Sequence, residues 1–134
     1  MTSDASGAEP DVITKLSPRP FAATVTRLQE LIGGKGLKLF AVIDQRAAAR
    51  SAGTDLRDTT LVLFGSPAAG TPVMAAAPLA ALDLPLRVLI WADDGQVKVS
   101  YYAPEAIGSR HGLSQDLVAR LAAIGPLTDA LIAP

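Results

Sequence analysis

Residues 86–102, LRVLIWADDGQVKVSYY, leave the backbone little choice. A largely apolar stretch over 86–91, with Arg87 its one charge, reaches Asp93-Asp94-Gly95, and residues 96–102 return with strict alternation. Val97, Val99 and Tyr101 face one way; Lys98, Ser100 and Tyr102 face the other. Glycine in the turn accepts the positive φ of a tight hairpin, and a period of two fits a strand with one partly wet face. The segment is an antiparallel hairpin, and the other elements must build around it.

Residues 59–64 (TTLVLF) form a nearly continuous apolar run, which predicts an inner strand covered on both faces. Residues 37–44 (LKLFAVID) alternate as a further strand, and 12–16 is a short one. Phe21, Val25, Leu28, Leu31 and Ile32 fall at helical spacing opposite Arg27, Gln29 and Glu30, and Gly33-Gly34 stops that helix. Residues 45–52 predict a short Ala-rich helix closed by Gly53. A turn at Gly65 leads into an Ala-rich helical piece limited by Pro78. Ser114 is placed to cap a last helix with Leu117, Val118, Leu121 and Ile124 on its apolar face. Gly125-Pro126 then breaks it, leaving Leu127 and Leu131 on a further short turn.

Strands and helices do not alternate as βαβ units. The predicted fold is a single α+β domain over residues 12–134, after a flexible polar tail at 1–11. Its antiparallel or mixed sheet has about four to five strands, with helices packed mainly on one face. The other face stays partly exposed, so a homodimer is expected.

Composition removes several chemistries. The 134-residue chain has no cysteine, which excludes disulfides, thiolate metal sites and cysteine nucleophiles. His111 is the single histidine, and one imidazole cannot furnish a transition-metal site. No metal or cofactor is expected. The 12 Lys and Arg residues are scattered and the net charge is −1, which argues against a nucleic-acid partner. No stretch reaches the roughly 18 apolar residues of a membrane span, and the polar start lacks the apolar core of a signal peptide. A cytoplasmic protein with no membrane partner is the expectation.

Residues 65–71, GSPAAGT, follow a strand and open a helix as a phosphate loop does. The lysine that would reach the phosphates is absent, with Thr71 in its place, and Pro67 and Pro72 remove two backbone donors. These mechanics fit a strand-to-helix turn, with Gly65 and Gly70 allowing tight geometry and room for a modest anion or carboxylate at the helix start. Asp44 ends a strand before a helix, the place of an N-cap or, alternatively, of a base or ligand anchor. Asp83, between Leu82 and Leu84, must find a partner or solvent, whether it braces the turn at Pro85 or lines a pocket. Tyr101 points with Val97 and Val99 into the core. His111 has no acid at triad-like spacing and reads as a surface or C-capping residue.

In their order and spacing these pieces resemble the bacterial and archaeal "domain of unknown function 302" family over nearly all of residues 24–113. The matching residues are Thr24-Val25 and Arg27-Leu28, Lys35-Gly36, Phe40-Ala41 and Ile43-Asp44. The longest match runs through Leu56-Arg57, Thr59-Thr60-Leu61, Phe64-Gly65, Pro67, Gly70-Thr71-Pro72 and Met74, then Ala81-Leu82-Asp83-Leu84-Pro85-Leu86 and Val88. Trp91, Ser100-Tyr101, Pro104 and Arg110-His111-Gly112-Leu113 complete it. The resemblance implies a compact α+β fold, commonly dimeric, with no established activity and no catalytic residues to carry over. Three positions depart from it. Gln45 stands where the family often has His, Asp58 where it often has Pro, and Ser66 where it often has Asn. Gln45 can hydrogen-bond but cannot exchange a proton near neutral pH.

The leading expectation is a non-enzymatic dimeric module that binds a small ligand or a partner protein. Its candidate residues are Asp44, Gln45, Thr59, Gly65, Gly70, Thr71, Asp83 and Tyr101, of which Asp44, Thr59, Thr71 and Asp83 are a polar set at the ends of apolar strands. A metal-independent enzyme is the alternative. It needs Asp44 or Asp83 as general base and Tyr101 or His111 as acid, two of them meeting in one concave site. A purely structural or interaction role is the third reading.

Overall fold

The hairpin forms as its sequence dictates. Its strands, β4 (Leu86–Asp93) and β5 (Gln96–Tyr102), meet at a turn in which Asp94 and Gly95 both have positive φ, 52° and 83°. These values match the twist of a two-residue hairpin loop. The computed structural model describes residues 11–134. Ahead of the hairpin come β1 (Val12–Ser17), α1 (Phe21–Gly34), β2 (Lys38–Asp44), α2 (Gln45–Ser51), β3 (Thr59–Gly65), α3 (Pro67–Ala76) and a 3₁₀ turn over Pro78–Leu82. Behind it follow α4 (Pro104–His111), α5 (Gln115–Ala119) and α6 (Ile124–Ile132). The tail expected at 1–11 lies, apart from Asp11, outside the described residues. The Asp11 carbonyl accepts a hydrogen bond from the Ala103 amide at 2.9 Å.

Five strands make one sheet in the order β1-β5-β4-β3-β2, and every neighbouring pair is antiparallel. Strand pairing places Thr60, Val62 and Phe64 beside Ile90, Val88 and Leu86, and Val99 beside Ile90. All are buried on one face, where Leu28 and Ile32 of α1 and Ile124, Leu127 and Leu131 of α6 join them. A period of two on the strands and 3.6 on the helices brings these side chains into one core. Lys15 of β1 enters the same layer because its charge is met: Nζ donates to Thr128 Oγ1 at 2.7 Å and Asp129 Oδ1 at 2.8 Å, and lies 5.2 Å from the Tyr101 ring centroid.

Three local expectations change, and one helix was not expected. TTLVLF is an inner strand, but only Thr60, Val62 and Phe64 are buried; Leu61 and Leu63 on the opposite face are half-buried and stand outside the core. Strict alternation fails in β2, where the register against β3 shifts between Leu39 and Ala41, so Phe40 lies at a bulge. Gly125-Pro126 does not break the last helix. It lies in the first turn of α6, where proline's missing N–H has no intrahelical partner to lose. α4 had no sequence expectation, since its one large aliphatic side chain, Ile107, gives no period to read.

Helices α4 and α5 touch at Gly108, where a Cβ would come within 2.4 Å of Val118 Cγ2. Among the described residues, no helix is long and apolar enough to cross a membrane.

Candidate functional site

The turn after β3 builds the larger of two candidate sites. Ser66 leaves the strand in an extended conformation and caps α3, its Oγ accepting from the Ala69 amide at 3.3 Å. Pro67 takes the first helical position. Beside this turn lies a cavity of about 320 Å³. Phe40 from the β2 bulge, Phe64, Met74, Leu84, Leu86 and Leu121 form much of its wall. Gly65 and Gly70 also line it, and among the described residues the only charged or hydroxyl-bearing side chains on it belong to Arg120 and Ser66.

The second site is a polar cluster at the end of the 3₁₀ turn. Asp83 Oδ2 accepts from Arg110 Nη1 at 2.8 Å and lies 2.6 Å from His111 Nε2. An ionised carboxylate only accepts, so Nε2 carries the proton in that bond. The Arg110 guanidinium in turn lies 5.2 Å from the Tyr102 ring centroid. His111 is therefore not a surface residue: its side chain is 9 % exposed, and the acid it meets lies 28 residues away in sequence, outside any local spacing.

This contact meets one condition of the enzyme reading, because Asp83 and His111 are within hydrogen-bond reach. The crevice beside them, lined by Asp83, Leu86, Arg87, Tyr102, Ile107 and Ile124, holds about 10 Å³. That is room for roughly one water, not for a substrate. What the cluster does is tie the 3₁₀ turn, and with it the cavity wall at Leu84-Pro85, to the end of α4.

Burial opposes ionisation of Asp83. The bonds from His111 and Arg110 and the Arg110 charge outweigh it and hold the carboxyl below its ordinary pKa of 3.8. A depressed carboxylate pKa contributes stability that is full above the unfolded-state value and lost as the pH falls through the folded-state value. Asp83→Asn should therefore lower the melting temperature at pH 6, and its deficit relative to the wild type should shrink as the pH drops below 3.8. A deficit that stays constant from pH 6 to pH 2.5 would contradict this assignment.

The remaining candidates are dispersed. Asp44 caps α2 by accepting from the Ala47 amide at 2.9 Å and is otherwise exposed, and Gln45 beside it is exposed. Thr59 Oγ1 donates to the Arg57 carbonyl at 2.9 Å. Thr71 lies on the outer side of α3, and Tyr101 is 5 % exposed within the core. Gly65 and Gly70 line the cavity, and Asp83 is one residue from its wall. Phe40, Met74, Arg120 and Leu121 carry no sequence signal for this site, since they converge on it from β2, α3 and the segment after α5.

Comparison with known proteins places the fold. The family model described as Domain of unknown function DUF302 matches residues 13–130. A crystal structure of an uncharacterized conserved DUF302 protein from Bacillus stearothermophilus superposes with a TM-score of 0.78 at 16% identity, covering 92% of this chain and 97% of that one. Likeness at that identity concerns the fold. The protein named fluoride-specific ion channel FluC 1 from Brucella suis biovar 1 (strain 1330) is 33% identical over 124 residues, 90% of this chain and 49% of that protein. FluC 1 of Brucella abortus biovar 1 (strain 9-941) matches at the same identity over 46% of its length. The chain thus spans about half the length of the curated relatives it matches.

Proposed function

The chain belongs to the DUF302 family, a domain of unknown function, and from that premise we propose that it is a non-enzymatic module holding a small apolar molecule in the cavity beside α3. One observation carries the reading: a space of about 320 Å³ walled largely by Phe40, Phe64, Met74, Leu84, Leu86 and Leu121. Ligand sites are typically apolar clefts of about this size with a few placed polar groups. At roughly 30 Å³ per water-sized group, the space suits a ligand of about ten heavy atoms. The fluoride of the Brucella channels' name is a poor occupant, because a small, strongly hydrated anion would exchange water for apolar walls. The crevice at Asp83, too small for a substrate, favours binding over catalysis.

A thermal-shift screen tests the reading. Neutral apolar compounds of six to ten heavy atoms should raise the melting temperature by several degrees at saturating concentration, as binding to the native state alone requires. A library of such compounds in which none moves it would count against the reading.

We further propose a homodimer in which a second copy covers the half-buried Leu61, Leu63 and Leu89. Light scattering at micromolar concentration should give the mass of two chains; the mass of one would overturn it.

A further inference from the structure

The cavity wall is not wholly apolar, and we propose that Arg120 and Ser66 select a ligand with a single carboxylate on an aliphatic body, a medium-chain monocarboxylate. This rests on the reading of the cavity as a ligand site. Among the described residues, Arg120 is the one charged residue on the wall. Elsewhere in the fold Arg46, Arg57 and Arg110 are matched with acids, at 3.0 Å to Asp58, 3.3 Å to Asp93 and 2.8 Å to Asp83, while Arg19 and Arg87 donate to backbone carbonyls. Among the described residues, Arg120 has no carboxylate within 4.0 Å. It thus offers an apolar cavity an unmatched planar donor fork, the geometry that recognises a carboxylate.

Ser66 supplies the second donor. Its oxygen accepts from the Ala69 amide, so the hydroxyl proton is left to donate to a ligand. It also stands at the positive end of the ten-residue α3, which favours an anion. One guanidinium and one hydroxyl match the two oxygens of a carboxylate. A phosphate dianion asks for more donors, and Pro67 removes an amide that a phosphate cradle would use. About ten heavy atoms fill the space, and octanoate has that number.

Calorimetric titration at pH 7 with octanoate, 1-octanol and octyl phosphate tests the assignment. Octanoate should bind at least tenfold more tightly than 1-octanol. Arg120→Gln should bring octanoate down to the level of 1-octanol and leave 1-octanol unchanged. Arg120 is exposed, so the variant's melting temperature should match the wild type. Ser66→Ala should weaken octanoate more than 1-octanol. Equal binding of octanoate and 1-octanol, an intact preference in Arg120→Gln, or octyl phosphate outbinding octanoate would overturn the carboxylate assignment and leave the apolar-ligand reading standing. If none of the three probes binds, both fall.

Discussion

Phe64→Ala should lower the unfolding free energy by about 3–5 kcal/mol, a large part of the 5–15 kcal/mol typical of a domain this size. Phe64 is fully buried on β3, between Leu86 of β4 and the edge strand β2, and its ring is shared by the core and the cavity wall. Truncation removes apolar burial and joins new empty space to space already there. The β2–β3–β4 ladder keeps the backbone from collapsing into it. Denaturant unfolding should show the lower midpoint with little change in slope. A loss under about 1 kcal/mol would place Phe64 outside the structural centre described here.

Gly108→Ala should destabilise the protein by about 1–3 kcal/mol, although the same change inside an ordinary helix is favourable by about 1 kcal/mol. The sign reverses because the added Cβ would come within 2.4 Å of Val118 Cγ2, closer than real contacts allow. A β-branched side chain on a helix has little rotamer freedom to yield, so α4 and α5 must move apart. The double variant separates the causes. On a Val118→Ala background the clash is gone, and Gly108→Ala should become neutral or stabilising. If the single variant is stabilising, the close approach of α4 to α5 is wrong.

Features fixed by neighbouring residues were legible in the sequence. Asp94-Gly95 demanded a tight turn, Asp44 and Ser114 cap the helices that follow them, and the period of Val97, Val99 and Tyr101 marked the core face. The local signals left the sheet antiparallel or mixed, and the pairing of β1 with β5, far apart in the chain, is decided by the assembled sheet. Features made by distant residues were not legible. Asp83 and His111 meet across 28 positions, and no spacing rule anticipates that. Gly125-Pro126 is ambiguous by nature, since proline both ends one helix and suits the first turn of the next. The bulge at Phe40 depends on the register against β3, which only the assembled sheet decides.

The glycines of the phosphate-loop lookalike were placed at the right turn, and the option of a carboxylate at its helix start was open from the sequence. The cavity was not, because its walls arrive from four separate stretches of chain.

The most direct test of the ligand site uses its methionine. The chain has two, Met1 and Met74, and the Met74 methyl sits by Gly70 on the cavity wall. With methionine methyls labelled with carbon-13, octanoate titrated at pH 7 should shift the Met74 signal saturably. A Met74 signal that stays fixed at millimolar octanoate would contradict the account.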